Sequence, residues 1–487
     1  MAKPMLDWRR AADISSLLDM FHQGVALHPD RAFTIFQGKT LTWGEAARAV
    51  AGVAADLEAG TDIALIVPNS PIFLIAFLGA LRAGARPALI NAALPVPLTQ
   101  KILDEIAPAQ ILTAGQIDLD RGEITIKTLP SNDPKPAPKI EPDAIAAYFL
   151  TGGTTGVPKR IAYTHEMMVA GTERMHWGWP MRDAEVHLSI APFTHIYGFY
   201  MGVGMALKVG ATNVLPGAFT PDGALALMEA HGVTVLGGGP PAIYQALLSS
   251  PSLADRDLSA LRVCPGGGAP FPIETHNRWK AATGLTIFEG YGMTEIAPIS
   301  VNTAEAGARP GAAGKPPPDT YVEVVDVKTG ANVLAPGEVG EIRTKGPHQM
   351  AGYLANDAET AIAMRDGWVM TGDIGKLDED GFLIITDRKK DVIITNGYNV
   401  FPREVEEVLA AVPGVATACA VGIPDHRRGE AVIAFVAGTA DVAALEAACW
   451  DGLAAYKVPT AVHVLQTLPL TPAGKVDRMA LRELAQP

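Results

Sequence analysis

Short β-branched or apolar runs alternate, through the first two thirds of the chain, with longer segments whose apolar positions recur at helical spacing. IALIVP at 63–68, the stretch from Pro71 to Arg82 and PALIN at 87–91 read as strand, helix and strand with short connections. That alternation favours a parallel sheet covered on both faces. IAAYFL (145–150), VTVL (233–236), LRVC (261–264) and TIFEG (286–290) each run into a glycine- or proline-rich turn. Open α/β sheets place ligands at the carboxyl ends of strands, so these four loops are expected to meet at one crevice. From about Arg343 the pattern changes to short alternating strands with tight turns, including GFLIITDR at 381–388, followed by a helix-like 399–412. EAVIAFVAG (430–438), a helix around 441–455 and AVHVLQTL (461–468) suffice for a small unit of its own. The expected fold is α/β: a large N-terminal multi-sheet domain over 1–386 and a small C-terminal α+β domain over 387–487. The segment 134–142, PKPAPKIEP, reads as an extended spacer.

The strongest apolar run, Pro71 to Leu81, ends at Arg82 and is too short for a membrane span of about 20 residues. No transmembrane segment is expected. The N-terminus spreads charges through its first residues and lacks the apolar core and small-residue cleavage site of a signal peptide. Cys264, Cys419 and Cys449 are too few and too widely spaced for a disulfide framework or a structural zinc site, so a reducing, cytoplasmic location is expected. The formal net charge of −13 argues against a nucleic-acid partner, which requires a basic face. With 48% hydrophobic and 19% charged residues, the chain as a whole is globular, and its oligomeric state is left open.

Directly after the run at 145–150 stands TGGTTGVPKR, Thr151 to Arg160. Glycines let backbone approach an anion closely, successive N–H groups and threonine hydroxyls donate, and Lys159 adds charge: the chemistry of a phosphate cradle. It is not a Walker A loop, because Val157 and Pro158 separate Lys159 from Gly156. An ordinary turn has a similar composition. EGYGMTE, Glu289 to Glu295, offers a ring for a base to stack on, a hydroxyl for a phosphate and a carboxylate for Mg²⁺. A buried Tyr291 beside a surface Glu295 is the plain structural alternative. CPGGGAPFP at 264–272 lets a planar ring lie against backbone, or simply marks a crossing point in the sheet. In the segment 367–391, Asp373 follows a Thr-Gly turn and can accept both hydroxyls of a ribose, with Arg388 completing the clamp; a solvated hairpin is the alternative. Lys475 lies in the turn LPLTPAGKVDR, where a lone lysine is ordinarily a solvated charge.

In this order and spacing the segments resemble the core motifs of the adenylate-forming enzymes, the superfamily of acyl-CoA synthetases, adenylation domains and luciferases, and most closely its fatty-acyl-CoA ligase branch. The resemblance runs from LTWGEAA at 41–47 and LRAGARPALIN at 81–91 to the terminal lysine motif. It implies that Thr151, Gly152, Gly153, Thr154, Thr155, Gly156 and Lys159 cover the β- and γ-phosphates of ATP. Gly267, Gly268, Ala269, Pro270 and Tyr291 would flank adenine, with Glu289, Gly290, Gly292 and Met293 among the nucleotide-binding positions. Thr294 would touch the α-phosphate, Glu295 would coordinate Mg²⁺, and Asp373 with Arg388 would hold the ribose. Lys475 would bridge substrate carboxylate and nucleotide, since joining two anions requires cations aimed at the developing charge.

The implied reaction has two halves: a carboxylate displaces pyrophosphate to give an acyl-adenylate, then the thiol of CoA attacks the acyl carbonyl and AMP departs. The resemblance implies a mobile C-terminal domain that swings about Lys390 in DRKKD, withdrawing Lys475 and bringing Gly397 to line a pantetheine passage. APFTHIYGFY at 191–200 resembles the segment lining the acyl pocket, with His195 and Tyr197 at its mouth; Gly198, Gly202 and Gly204 are expected to leave room for a chain or ring. Arg160 replaces a usual glycine, and Asn396 stands where some aryl-CoA ligases carry lysine. The expected acid is a medium- or long-chain fatty acid, with an aryl acid or small dicarboxylate as alternatives. Other readings are an acyl-AMP ligase loading a carrier protein, a non-catalytic adenylate or acyl sensor, and a luciferase-type oxidase.

Overall fold

The computed structural model describes residues 14–115, 119, 124–126, 129, 130, 132, 139–151, 158–396, 398–470 and 476–485. They fall into two compact units: Met1–Val322 with Thr344–Met370, and Glu323–Arg343 with Thr371–Pro487. Among the described residues no helix is long and apolar enough to cross a membrane.

The first unit holds two largely parallel sheets. One runs, in spatial order, Ile124–Thr125, Gln110–Thr113, Asp62–Ile66, Arg86–Leu89, Ile145–Thr151 and Lys159–Thr164. All its pairings are parallel except the last, between the two strands that flank the sequence expected to hold phosphate. The other runs Val235–Gly237, Val186–Ser189, Thr212–Leu215, Ala32–Phe36 and Lys39–Thr42, again with one antiparallel edge. The helix Pro71–Ala83 bears out the apolar run. Ser70 caps it by accepting from the Phe73 N–H, Pro71 pre-sets its first turn, and Gly84 ends it at φ 76°, a conformation glycine adopts without penalty. Every residue from Phe73 to Leu81 is buried, which is why the segment is hydrophobic all round rather than on one stripe.

A third, three-stranded sheet of Cys264–Gly267, Ile287–Met293 and Ile296–Val301 carries two of the glycine-rich motifs. The strand expected at 261–264 forms three residues later. Val263 makes only an isolated bridge to Val235, and regular pairing starts where Cys264 meets Ile287. The four expected loops thus leave from three different sheets, and cross-links draw these together. Gly239 bridges Gly266, the Tyr197 hydroxyl donates to the Pro265 carbonyl at 3.1 Å, and the Tyr163 hydroxyl donates to the Thr294 carbonyl at 2.7 Å.

The second unit is built on Tyr398–Val400, Ile393–Thr395, Gly429–Gly438 and Val415–Asp425, with Ala461–Leu465 parallel to Gly429–Gly438. Helices Pro402–Ala410 and Val442–Gly452 supply Val405, Leu409, Leu445 and Cys449 to a core shared with Ile393, Val432 and Val436.

Candidate active site

In the first unit, Thr151 ends one strand of the edge hairpin and Lys159 opens the other, paired with each other across it. Gly152, Gly153, Thr154, Thr155 and Gly156 lie outside the described residues, as do Gly397 and Lys475. Beyond Lys159 the hairpin edge takes up a further segment: Ile161 bridges Tyr353, and the Leu354 N–H donates to the Arg160 carbonyl at 2.8 Å. This brings Lys159 over the ring of Tyr353, 4.4 Å from its centroid, and within 2.6 Å of Glu359 Oε2. Neither Tyr353 nor Glu359 belongs to any motif singled out in the sequence.

Thr294 and Glu295 form the two-residue tip of a second hairpin, closed by the Met293–Ile296 pair. The sequence suggests a strand end for EGYGMTE, but the strand continues through Met293, so Tyr291 lies within it and only the last two residues of the motif turn. Glu295 is buried rather than superficial, and the Tyr353 hydroxyl donates to its Oε1 at 2.6 Å. Burial first, and then the Glu295 carboxylate, hold the Tyr353 phenol well above its ordinary pKa, so it remains a donor.

Glu289 points inward. Its Oε1 pairs with His276 Nε2 at 2.8 Å, and its Oε2 accepts from the Phe271 N–H at 3.4 Å. Both partners lie on the segment leading out of the neighbouring strand, so this carboxylate fastens 264–272 to 287–293. The two strands pair in parallel, and at Gly267 an added Cβ would stand 2.8 Å from the Gly290 carbonyl oxygen; the two backbones approach too closely for a side chain there. Gly268 follows at φ 81°, opening the turn through Ala269 and Pro270.

The acyl segment corrects one expectation. Gly198, Gly202 and Gly204 do not leave room: their absent side chains are replaced by neighbours. An added Cβ would lie 2.2 Å from the Pro192 carbonyl oxygen, 2.2 Å from the Phe193 ring and 2.5 Å from the Thr172 hydroxyl, respectively. These glycines serve close packing of the helical segment Ile196–Phe199 and the π-helical turn Tyr200–Gly204 against Pro192, Phe193 and Thr172. Open space lies instead beside this segment. A cleft of about 400 Å³ is lined by Val67, Asn69, Ser189, Ile190, Thr194 and Phe219 among others, with no charged residue in its lining. Asn69 fixes its wall by donating to the Ala191 carbonyl and accepting from the Phe193 N–H, both at 2.8 Å. His195 is exposed and its Nδ1 accepts from the Tyr197 N–H, while Tyr197 is buried.

In the second unit Asp373 and Arg388 are cross-strand neighbours on Trp368–Leu377 and Leu383–Arg388, with Arg388 Nε 3.0 Å from Asp373 Oδ1. The Asp373 carboxylate is buried while Arg388 is exposed, and Asp373 lies within a strand rather than after a turn; Gly372, at φ 68°, supplies only the local left-handed bend. Lys390 is exposed in the short 3₁₀ turn Lys389–Asp391.

The family model for AMP-binding enzymes matches residues 21–354, and that for the AMP-binding enzyme C-terminal domain matches 404–475. The chain belongs to the AMP-binding enzyme family. This AMP-binding enzyme is 34% identical to a long-chain-fatty-acid–CoA ligase of Bacillus subtilis, over 96% of its own length and 94% of the relative's. It is also 34% identical to a feruloyl-CoA synthase of an Amycolatopsis species, over 91% and 94%. Among solved structures, o-succinylbenzoate CoA synthetase of Bacillus subtilis with its acyl-adenylate intermediate superposes with a TM-score of 0.85 at 27% identity, covering 95% of this chain and 97% of that one. ATP-bound MatB of Rhodopseudomonas palustris gives 0.84 at 28% identity, covering 96% and 98%. The α/β architecture expected from the sequence is therefore that of the family's adenylating enzymes.

Proposed function

We propose that this AMP-binding enzyme is an AMP-forming acyl-CoA synthetase: it joins a carboxylic acid to ATP with release of pyrophosphate, then passes the acyl group to CoA. The observation that carries the reading is the juxtaposition, in one unit, of Lys159, the Thr294–Glu295 hairpin tip and the Gly267–Gly290 strand pair, within a chain matched along nearly its full length by CoA ligases. Mg²⁺ suits this donor set. It takes one or two carboxylates and fills its remaining positions with substrate phosphates and water. Glu295 offers one buried, oriented carboxylate, and no group of three or more metal-binding side chains occurs among the described residues. Bound there, the ion would neutralise charge on the leaving pyrophosphate.

Lys159 would meet the terminal phosphates, Thr294 the α-phosphate, and the Gly267–Pro270 turn with Tyr291 the adenine. Asp373 would accept the ribose hydroxyls, with Arg388 beside it. Lys475 would supply the cation for adenylation and leave when the segment from 387 onward turns about Lys390, bringing Gly397 toward the thiol. The acid we infer is a medium- or long-chain fatty acid. The uncharged cleft lined by Val67, Ile190 and Phe219 suits an apolar chain, whereas a second carboxylate there would require a buried cation. The same reading includes a cytoplasmic site of action, which three cysteines standing free rather than paired support.

A CoA-dependent screen over fatty, aryl and dicarboxylic acids, read as pyrophosphate and acyl-CoA, tests the reading. Turnover should be highest with a fatty acid of medium or long chain. Pyrophosphate release with no acyl-CoA would favour a carrier-loading ligase, and neither product with any acid would leave a binding protein.

A further inference from the structure

Four side chains form a continuous chain of contacts in the first unit: Glu359, Lys159, Tyr353 and Glu295. Two of them, Lys159 and Glu295, carry opposite charges that the nucleotide reading assigns to phosphate and to metal. The other two have no assigned part. Tyr353 is fixed from several directions: its backbone bridges Ile161, its N–H donates to Thr360 Oγ1 at 2.9 Å, and its hydroxyl donates to Glu295 Oε1. One face of the same ring carries Lys159, so a single rigid side chain sets the position of both functional groups. Glu359 stands in the first turn of the helix Asp357–Ala363, where its N–H is capped by Asn356 Oδ1 at 3.2 Å.

We propose, resting on the nucleotide reading above, that Tyr353 and Glu359 are the positioning pair of the phosphate site, with opposite effects on binding. Tyr353 aims the Glu295 carboxylate at the metal held by the phosphates. Glu359 is an internal anion that occupies Lys159 until phosphate oxygens replace it, and it takes the lysine back when pyrophosphate leaves. Magnitudes make this exchange feasible. The Glu359 side chain is 40% exposed and that of Lys159 24%, and an ion pair so open to water is weak enough to exchange. A triphosphate carries several charges to the same lysine and outcompetes one carboxylate. The hydroxyl of Tyr353, by contrast, bonds a buried carboxylate, and hydrogen bonds to charged groups are stronger than those between neutral ones.

Calorimetric titration with Mg·ATP, with ATP in EDTA and with Mg·pyrophosphate, in the absence of acid and CoA, separates the two roles. Tyr353→Phe should weaken Mg·ATP roughly tenfold while leaving metal-free ATP within about twofold. Glu359→Gln should tighten Mg·ATP and Mg·pyrophosphate about threefold to fivefold, and Glu359→Asp should stay near wild type. Equal loss of both ATP forms in Tyr353→Phe, or weaker binding in Glu359→Gln, would overturn the assignment and leave these residues a merely structural role. Unchanged thermal midpoints verify that each variant is folded; should Tyr353→Phe unfold, the Glu359→Gln result alone decides. If the wild-type chain binds neither ATP nor pyrophosphate, the nucleotide reading itself falls; if it binds both and the variants are silent, only this inference does.

Discussion

One polar set in each unit shows how differently polar groups can be held inside a fold. In the first, His165, His176, His187 and His348 are buried, and burial pushes each down to a pKa of about 4. They are neutral near pH 7, and His187 Nε2 and His348 Nδ1 have no partner among the described residues. In the second unit a half-buried cluster is charged. Arg478 donates to the Ala420 carbonyl at 2.6 Å and pairs with Glu406 Oε1 at 2.8 Å, while the Asp387 carboxylate accepts the N–H groups of Arg388 and Arg403. Burial raises the pKa of both Asp387 and Glu406, and neighbouring carboxylates raise that of Arg478 against its own burial. A large core can hold neutral polar rings at modest cost. A smaller one has less apolar area to specify its arrangement, and here a charge cluster ties together the strands Leu383–Arg388 and Val415–Asp425 and the helices Pro402–Ala410 and Arg478–Leu484.

Acid should separate the units most strongly. The histidines of the first unit titrate near 6.5 when unfolded and near 4 when folded, so their stability contribution is intact above pH 6.5 and falls as pH drops toward 4. Each shift corresponds to roughly 3 kcal/mol once pH reaches about 4. Asp387 and Glu406 work the other way: their folded pKa values lie above the unfolded ones, so their contribution is lost as pH rises through them and is recovered as pH falls. Asp326 and Asp425, held low by backbone N–H groups near the surface, oppose this, with solvent screening their effect. Trp43, Trp179 and Trp279 are buried in the first unit and Trp450 is exposed in the second, so tryptophan fluorescence should report loss of the first unit on acidification below pH 6.5. Hydrogen exchange should find the second unit still protected; simultaneous loss would break the contrast.

Next in size, Lys475→Ala should cut adenylation by about a thousandfold, while thioester formation from supplied acyl-adenylate survives. Equal loss of both halves would mean that the second unit does not divide its labour between them. Glu406→Gln strands Arg478 and should cost the second unit roughly 3 kcal/mol, read as selective loss of its hydrogen-exchange protection. The double variant Glu406→Leu with Arg478→Met should recover much of that. The smallest effect belongs to Thr42→Ala, which removes a capping box in which Thr42 and Glu45 satisfy each other's N–H groups. About 1 kcal/mol of the first unit's stability should go, measured by chemical denaturation, with activity retained.

Much of the fold could be read directly. The strands Asp62–Ile66 and Arg86–Leu89 and the helix between them follow from periodicity and from Ser70, Pro71 and Gly84 as punctuation. The glycine-rich motifs pointed to the family because their spacing survives without any three-dimensional information. Other parts were not legible. Gly198, Gly202 and Gly204 suggest space, yet whether a missing side chain leaves a cavity or admits a neighbour depends on Pro192, Phe193 and Thr172 packed against them. Glu289 and Glu295 look alike in EGYGMTE, but one closes on His276 and the other on Tyr353.

The sequence by itself determined the local elements, the chemistry available at each motif and the family, because these rest on spacing along the chain and on residue type. Only the tertiary structure decided which groups meet. Lys159 finds Glu359 two hundred residues away because an edge strand must pair its free backbone groups, and the segment that pairs with it carries Tyr353.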